Sequence, residues 1–442
     1  MGDWFNGVNG GNEKVWPSIK SIAKFIMFKK PFEEVLSAQN LVGIENVKVK
    51  VKAGGITELA KNVVSNADYR VFPIIQGDLL EDGWEYTGDY KNGRFEVGSY
   101  EGNKWGGKFL RAPEVFYSIL EKGEENLILL SQMAGVILPG CYSGINDFFY
   151  IDEEVVDAFK IEEIYVKPIV RNADAVKTLN IAAPPNYYVL SIPPLSKKEL
   201  MNKGHAGVVR YIEWGEKQVT RKRQKTESGI KWPNVETVKN RKYWYSIPEK
   251  NLTPTQLFMQ YVSNERFYCP YSSSPLASDR AFHRLFVNSG INYKEVAAVL
   301  NSTLQAFFVM LLGRSNLGQG ALKFEASDAK RVLTLNPTGF DLMSRGRLQN
   351  CLDILGKRKS QSIFEEVGID YGKPIREQDP KPLPDRAELD NIIFDEFGLT
   401  PREKKEVYWS VCELVKQRID KAKSLKGENN EIFDRESKSR SS

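Results

Sequence analysis

The sequence predicts an α+β protein: a mixed sheet with hairpins, a long amphipathic helix and a helical C-terminal tail, preceded by a small α/β piece. Three observations carry this expectation. Short strand-like runs bounded by turn residues recur through the middle of the chain. Between Lys294 and Leu312, Val296, Leu300, Leu304, Phe307, Phe308 and Leu311 fall on one helical face. Thr400–Pro401–Arg402–Glu403 then supplies an N-cap, a proline at the first helical position and a capping glutamate, ahead of a charge-rich segment.

Taken in order, residues 1–17 are Gly- and Asn-rich and read as a flexible N-terminus. Residues 18–100 read as the small α/β piece. Ser21–Phe28 (SIAKFIMF) suits a buried strand, and Asn46–Ala53 (NVKVKVKA) alternates with period two, as a half-exposed strand does. Residues 81–108 are crowded with Gly, Asn and Asp, which predicts turns and a linker, with a boundary near residue 100. Residues 101–340 read as the main domain. A short helix over Ala112–Lys122 is opened by Pro113, and strands follow around Leu127–Val136, Phe148–Ile151 and Tyr187–Ile192. Ser196 and Glu199 have the spacing of a capping box. Residues 341–425 read as helical, with the last helix ending near Lys423, and 426–442 as a polar, disordered tail. No internal repeat is visible.

At 442 residues the chain has room for two or three domains, and 41% hydrophobic residues is ordinary for a globular protein. A net charge of +5 alone points to no partner. Cys141, Cys269, Cys351 and Cys412 form no CxxC pair, which argues against a zinc ribbon and a disulfide scaffold. His205 and His283 are the only histidines, so histidine metal sites and Ser-His-Asp triads are poorly supplied. The start lacks a basic-then-apolar leader, and the longest apolar stretch, Leu304–Leu312, is too short to span a bilayer. These features suit a reducing, cytoplasmic compartment without a membrane.

Two segments have the composition of a nucleic-acid contact. Residues 203–242 hold eleven Lys or Arg against four Glu, with TRKRQK at Thr220–Lys225. Tyr211, Trp214, Trp232, Tyr243, Trp244 and Tyr245 interleave with them. Cations neutralise phosphates and aromatic rings stack on bases; a solvated loop beside an aromatic core gives the same pattern. Gly313–Gly320 (GRSNLGQG) combines glycines with Arg, Asn and Gln, the side chains that pair with base edges. A helix C-cap followed by a turn would also look like this. Ala183–Tyr188 (APPNYY) has the letters of an amino-methyltransferase Asn-Pro-Pro-aromatic loop in the wrong order, and reads as a turn between strands. His205 and His283 read as surface or packing residues, Glu162–Glu163 as helix-face charges, and no acidic trio makes a convincing nuclease centre.

From about residue 104 the chain resembles the C-terminal target-recognition region of large adenine-specific methyltransferases of restriction–modification systems. The stretches that carry this resemblance occur in order. They are KWGGKFLRAPEVFYSIL (104–120), the Gly-rich aromatic hairpin VILPGCYSGINDFFYI (136–151), IYVKPIVRNADAVKTL (164–179), YYVLSI and YIEWGEK (211–217). RKYWYSI (241–247), EVAAVLNSTLQAFFVMLLGR (295–314), NLGQGALKFEASDAKRV (316–332) and LDNIIFDEFGLTPREKKEV (389–407) complete the series. SIAKFIMFKKPFEEV, within residues 18–40, resembles the segment joining the methyltransferase domain to this region. The resemblance implies a division of labour. This chain reads double-stranded DNA and carries no catalytic residue, cofactor or metal. A methyltransferase catalytic subunit binds S-adenosylmethionine, and a nuclease subunit is a further possible partner. Arg111 and Arg171 occupy matching motifs and are implied DNA contacts or structural ion pairs. Lys217, Arg241, Tyr245, Arg314, Asn316 and Gln319 are further DNA-binding candidates. The basic cluster adds Arg221, Lys222, Arg223 and Lys225. Two alternatives stay open: a divergent methyltransferase or restriction enzyme with an unrecognised centre, and a non-catalytic assembly protein of a defence complex.

Overall fold

The computed structural model describes residues 20–50, 60–81, 84–91, 95–100, 106–123, 126–181, 187–221, 228–247, 249–313 and 320–439. The expected flexible segment 1–17 and the run Ala183–Asn186 lie outside them. The chain forms two compact units, one of residues 1–127 with 396–406, the other of residues 128–395 with 407–442.

The N-terminal unit contains β1 (Ile22–Phe28), β2 (Val64–Ser65) and β3 (Tyr69–Ile75) in an antiparallel sheet of order β1-β3-β2. Phe25 lies opposite Phe72 in this sheet, and both rings contact Phe109, at 4.8 and 4.5 Å. The period-two run Asn46–Ala53 is not a strand over residues 47–50, and 51–53 lie outside the described residues. Val47 is buried with Val35, Ile44, Tyr69 and Val71, so the alternation does mark an inward side chain. The Lys50 amide, however, donates to the Asn62 side chain at 2.7 Å rather than to a strand. The Gly-rich stretch expected to be linker contains a hairpin of β4 (Trp84–Lys91) and β5 (Phe95–Tyr100), because the aromatic and β-branched residues Trp84, Tyr86, Thr87, Tyr90, Phe95, Val97 and Tyr100 outweigh Gly88 and Gly98 within the strands. The Pro113 helix spans Glu114–Lys122, with Pro113 at the cap.

The second unit is organised on seven strands. These are β6 (Val136–Pro139), β7 (Tyr150–Ile151), β8 (Val166–Val170), β9 (Tyr188–Leu190), β10 (Thr255–Gln260), β11 (Tyr271–Ser278) and β12 (Phe282–Phe286). Their order is β6-β12-β10-β11-β8-β9-β7. All neighbours are antiparallel except β11 and β8, where Ala277 lies beside Ile169. The segment 136–151 is therefore not a hairpin. Its two strands occupy opposite edges of the sheet, because a loop and the short helix Asn146–Phe149 carry the chain across. Leu130–Met133, expected to be extended, is also a helical turn, with the Gln132 side chain accepting from the Leu129 amide.

The basic-aromatic segment supplies much of the core here. Phe148 packs on Tyr211 and Trp244 at centroid separations of 5.0 and 4.4 Å, and Trp232 and Tyr245 are buried in the same cluster. Aromatic pairs of this kind add about 1 kcal/mol each beyond area burial.

The long helix expected over Lys294–Leu312 is two helices, Tyr293–Leu300 and Thr303–Leu312, bent by 68°. Periodicity cannot reveal this break, since every residue of the second helix but Leu312 is buried. Asn301 causes it. Its side chain accepts from the Cys269 amide at 2.9 Å and donates to the Cys269 and Ala297 carbonyls, both at 2.8 Å. Ser302 caps the next helix through the Gln305 amide, and buried Asp390 accepts from the amide and hydroxyl of Thr303 at 2.8 and 2.6 Å. Among the described residues no single helix is long and apolar enough to cross a membrane.

The Thr400 cap forms as expected, with reciprocal bonds to Glu403, and the helix runs Pro401–Ser439 rather than ending near Lys423. The sequence beyond Lys423 is rich in Glu, Lys and Arg, which have high helix propensity despite their polarity.

Candidate nucleic-acid interface

The parallel pairing of β8 with β11 places Val170 beside Ser278. The antiparallel pairing of β6 with β12 places Pro139 beside His283. The loops following β6, β8 and β11 therefore emerge at one end of the sheet. Short contacts hold them together. The Cys141 amide donates to the Ser278 carbonyl at 2.7 Å, and the Asp279 amide to Val170 at 3.0 Å. A Cβ on Gly140 would meet the Asp279 carbonyl oxygen at 1.9 Å, so only glycine permits this approach. Buried Arg284 fixes the end of β6 by donating to the Pro139 and Thr253 carbonyls at 3.1 and 2.8 Å.

Asp279 is the hub of the cluster. Its carboxylate accepts from the Ala281 amide at 2.9 Å and the Asn172 amide at 3.4 Å. Burial pushes its pKa up, against the pull of those amides and of the Arg171 cation. Asn172 sits at φ +58°, a left-handed conformation that asparagine tolerates, and its side chain accepts from the Asp174 amide at 3.0 Å.

Around this hub two arginines make three cation–aromatic contacts. The Arg171 guanidinium lies 4.2 Å from the Tyr150 ring centroid and 5.4 Å from that of Tyr187. The Arg280 guanidinium lies 5.3 Å from the Tyr142 ring. Tyr142 and Tyr187 are 54% and 48% exposed, which is high for tyrosine rings. Arg280 is exposed and Arg171 half-buried. Exposed rings beside fixed guanidiniums offer flat faces for bases and positive charge for phosphates.

Of the residues expected from the sequence, Arg171 belongs to this cluster directly and Arg241 supports it. Arg241 donates to the carbonyls of Ser143 at 2.8 Å and Ser246 at 3.0 Å, and lies 5.4 Å from the Phe149 ring. It thereby holds the loop bearing Tyr142. Tyr245 is buried, with its hydroxyl donating to Leu195 at 2.8 Å. Trp244 is buried, whereas Trp214 is 36% exposed and stacks on Tyr211 at 5.2 Å. Lys217 and Arg221 are exposed on the segment after the helix Ala206–Gly215. Arg111 is exposed and belongs to the N-terminal unit. Lys222, Arg223, Lys225, Arg314, Asn316 and Gln319 lie outside the described residues. Sequence reasoning missed Tyr142, Arg280 and Asp279. Ser278–Asp279–Arg280 between two strand-like runs was the available signal for the last two, and pairing across distant strands is what gives it meaning.

His283 is buried, its Nε2 lies 2.6 Å from the Phe324 carbonyl oxygen, and burial lowers its pKa. His205 packs edge-on to Tyr165. All four cysteines are buried thiols, and burial raises the pKa of Cys141 to about 11. Among the described residues no cluster of His, Cys, Asp and Glu is arranged to hold a metal ion.

A family model described as the type II methyltransferase M.Eco57I, C-terminal domain, matches residues 102–367. The chain belongs to this family, the C-terminal region of a restriction–modification methyltransferase. None of the curated proteins matches it in sequence. Among solved structures it is similar to the type IIG restriction endonuclease BpuSI, at TM-score 0.47 and 12% identity over 91% of this chain and 48% of that one. It is also similar to the type IIL restriction–modification enzyme MmeI, solved in complex with DNA, at TM-score 0.35 and 12% identity over 64% of this chain and 35% of that one. The chain thus spans about half the length of the first of these and about a third of the second.

Proposed function

From that family membership we propose that the chain is the DNA-reading part of a site-specific adenine methyltransferase of a cytoplasmic restriction–modification system. Methyl transfer belongs to a partner catalytic subunit. The observation that carries the reading is the convergence, at one end of the seven-stranded sheet, of Tyr142, Arg171 and Arg280 on three loops with Tyr187 at the entry to β9. Phosphate contacts by the arginines set position on the duplex, and base contacts set specificity.

In this reading S-adenosylmethionine is held by the partner, and the close packing around two glycines is consistent with that. Gly140 and Gly144 follow a strand, as cofactor-cradling glycines do, but their open faces are filled from within. Gly140 abuts the Asp279 carbonyl, and Gly144 abuts Val238 and Arg241. Neither leaves space for a ligand, so these two glycines do not fit the cofactor.

Fluorescence anisotropy of the full chain on a labelled duplex, from 50 to 200 mM salt, tests DNA binding, and transfer of labelled methyl groups to DNA tests catalysis. Affinity is expected to fall steeply with salt, and the chain alone is expected to transfer no methyl groups. Methylation by this chain alone would overturn the division of labour. Absence of salt-sensitive binding would overturn the DNA-reading role.

A further inference from the structure

Next to the loop cluster lies an open groove of about 1020 Å³, bordered by Asn172 and Ala281, the neighbours of Arg171 and Arg280. Its volume lies just above the range of about 300–1,000 Å³ that suits small organic ligands. Lys177, Arg266 and Lys359 in its wall are balanced by Asp174, Glu265 and Glu365. Arg266 is also committed internally, donating to the carbonyls of Ser360, Ala173 and Val176 at 3.3, 3.4 and 3.1 Å. A wall of zero net formal charge does not select an anion. It suits a neutral ring recognised by hydrogen bonds.

The groove is rich in groups that make such bonds. Gln260, Asn264 and Gln361 line it with carboxamides, which carry a donor and an acceptor side by side. Gln260 is the notable member. It ends β10 opposite Phe282, is 7% exposed, and its Oε1 has no hydrogen-bond partner among the described residues. A buried acceptor left unmet is unfavourable, and a donor from a ligand would satisfy it.

We infer that this groove receives an unpaired nucleobase of DNA held at the loop cluster, and that Gln260 is a specificity-determining residue there. The arginines at its border hold the flanking phosphates. The Gln260 carboxamide accepts from an exocyclic amino group and donates to the adjacent ring nitrogen, the pattern that adenine presents and thymine lacks. The inference rests on the DNA-reading role proposed above.

The experiment compares three labelled duplexes of one sequence: fully paired, with a single adenine bulge, and with a single thymine bulge. The full chain is expected to bind the adenine bulge roughly tenfold more tightly than the other two, the scale of one bidentate amide–base pair. Gln260→Leu is expected to abolish the preference while leaving affinity for the paired duplex unchanged. Asn264→Ala, at an exposed position that does not threaten folding, is expected to reduce it. Equal binding of all three duplexes, or a preference that survives both substitutions, overturns the pocket and leaves the DNA-reading role intact. Failure to bind any duplex at low salt overturns both.

Discussion

Arg280 gives the sharpest test of the interface. It lies on the turn between β11 and β12, exposed, with its guanidinium over the Tyr142 ring. An exposed cation–π contact contributes about 0.5–1 kcal/mol, so Arg280→Gln should change stability little. Its effect on DNA should be specific in form. A cation on a phosphate contributes about 0.9 to the slope of log affinity against log salt. Removing it should lower that slope by about 0.9. Over a fourfold rise in salt, from 50 to 200 mM, the wild type should then lose about 3.5 times more affinity than the variant. Combining Arg280→Gln with Arg171→Gln should lower the slope by about 1.8. Arg171 also covers Tyr150 and Tyr187 and faces Asp279, so its substitution perturbs the loop as well as the charge. Arg171→Lys keeps the charge and should retain most of the slope. Anisotropy titrations at four salt concentrations measure all of this. If the slope is unchanged in the double variant while the protein remains folded, the loop cluster is not where this chain meets phosphate.

Asn301→Ala removes three side-chain hydrogen bonds and leaves the Cys269 amide and carbonyl unpaired in the core. At about 1–3 kcal/mol for each orphaned buried group, urea unfolding should show a loss of about 3 kcal/mol. A loss below about 1 kcal/mol would mean that Asn301 does not hold the bend. Glu366 predicts a pH dependence. Its burial opposes ionisation, but hydrogen bonds from Arg358 at 2.7 Å, together with the Arg386 cation, bring its pKa down from 4.5 to about 2. The folded value lies below the unfolded one, so the stabilisation is complete above about pH 4.5 and is lost as the pH falls towards 2. That gap corresponds to about 3 kcal/mol. Glu366→Gln should flatten the stability curve in that window; an unchanged acid limb would place the effect elsewhere.

The sequence disclosed local grammar and concealed distant pairing. Ser196 with Glu199 and Thr400 with Glu403 form the expected caps because such motifs close within four residues. Val296 and Phe307 are buried as their spacing implies, yet the helix containing them bends, because the bend belongs to Asn301 and its partner Cys269, thirty-two residues away. The same limit governs the candidate site. Arg171 was legible as a cation in a motif, but nothing near it in sequence places Arg280 at the same sheet end. The parallel register of β8 with β11 does that, bringing Val170 beside Ser278 across more than a hundred residues. The basic-aromatic segment illustrates the converse. Its composition suggested rings offered to bases, yet Tyr211, Trp232, Trp244 and Tyr245 are core, while the exposed rings with cations over them are Tyr142 and Tyr187. Composition marks which residues have the chemistry for such a surface; topology selects those brought together on it. In this chain the selection depends on one glycine, since any side chain at Gly140 would collide with the Asp279 carbonyl and separate the loops that carry the two arginines.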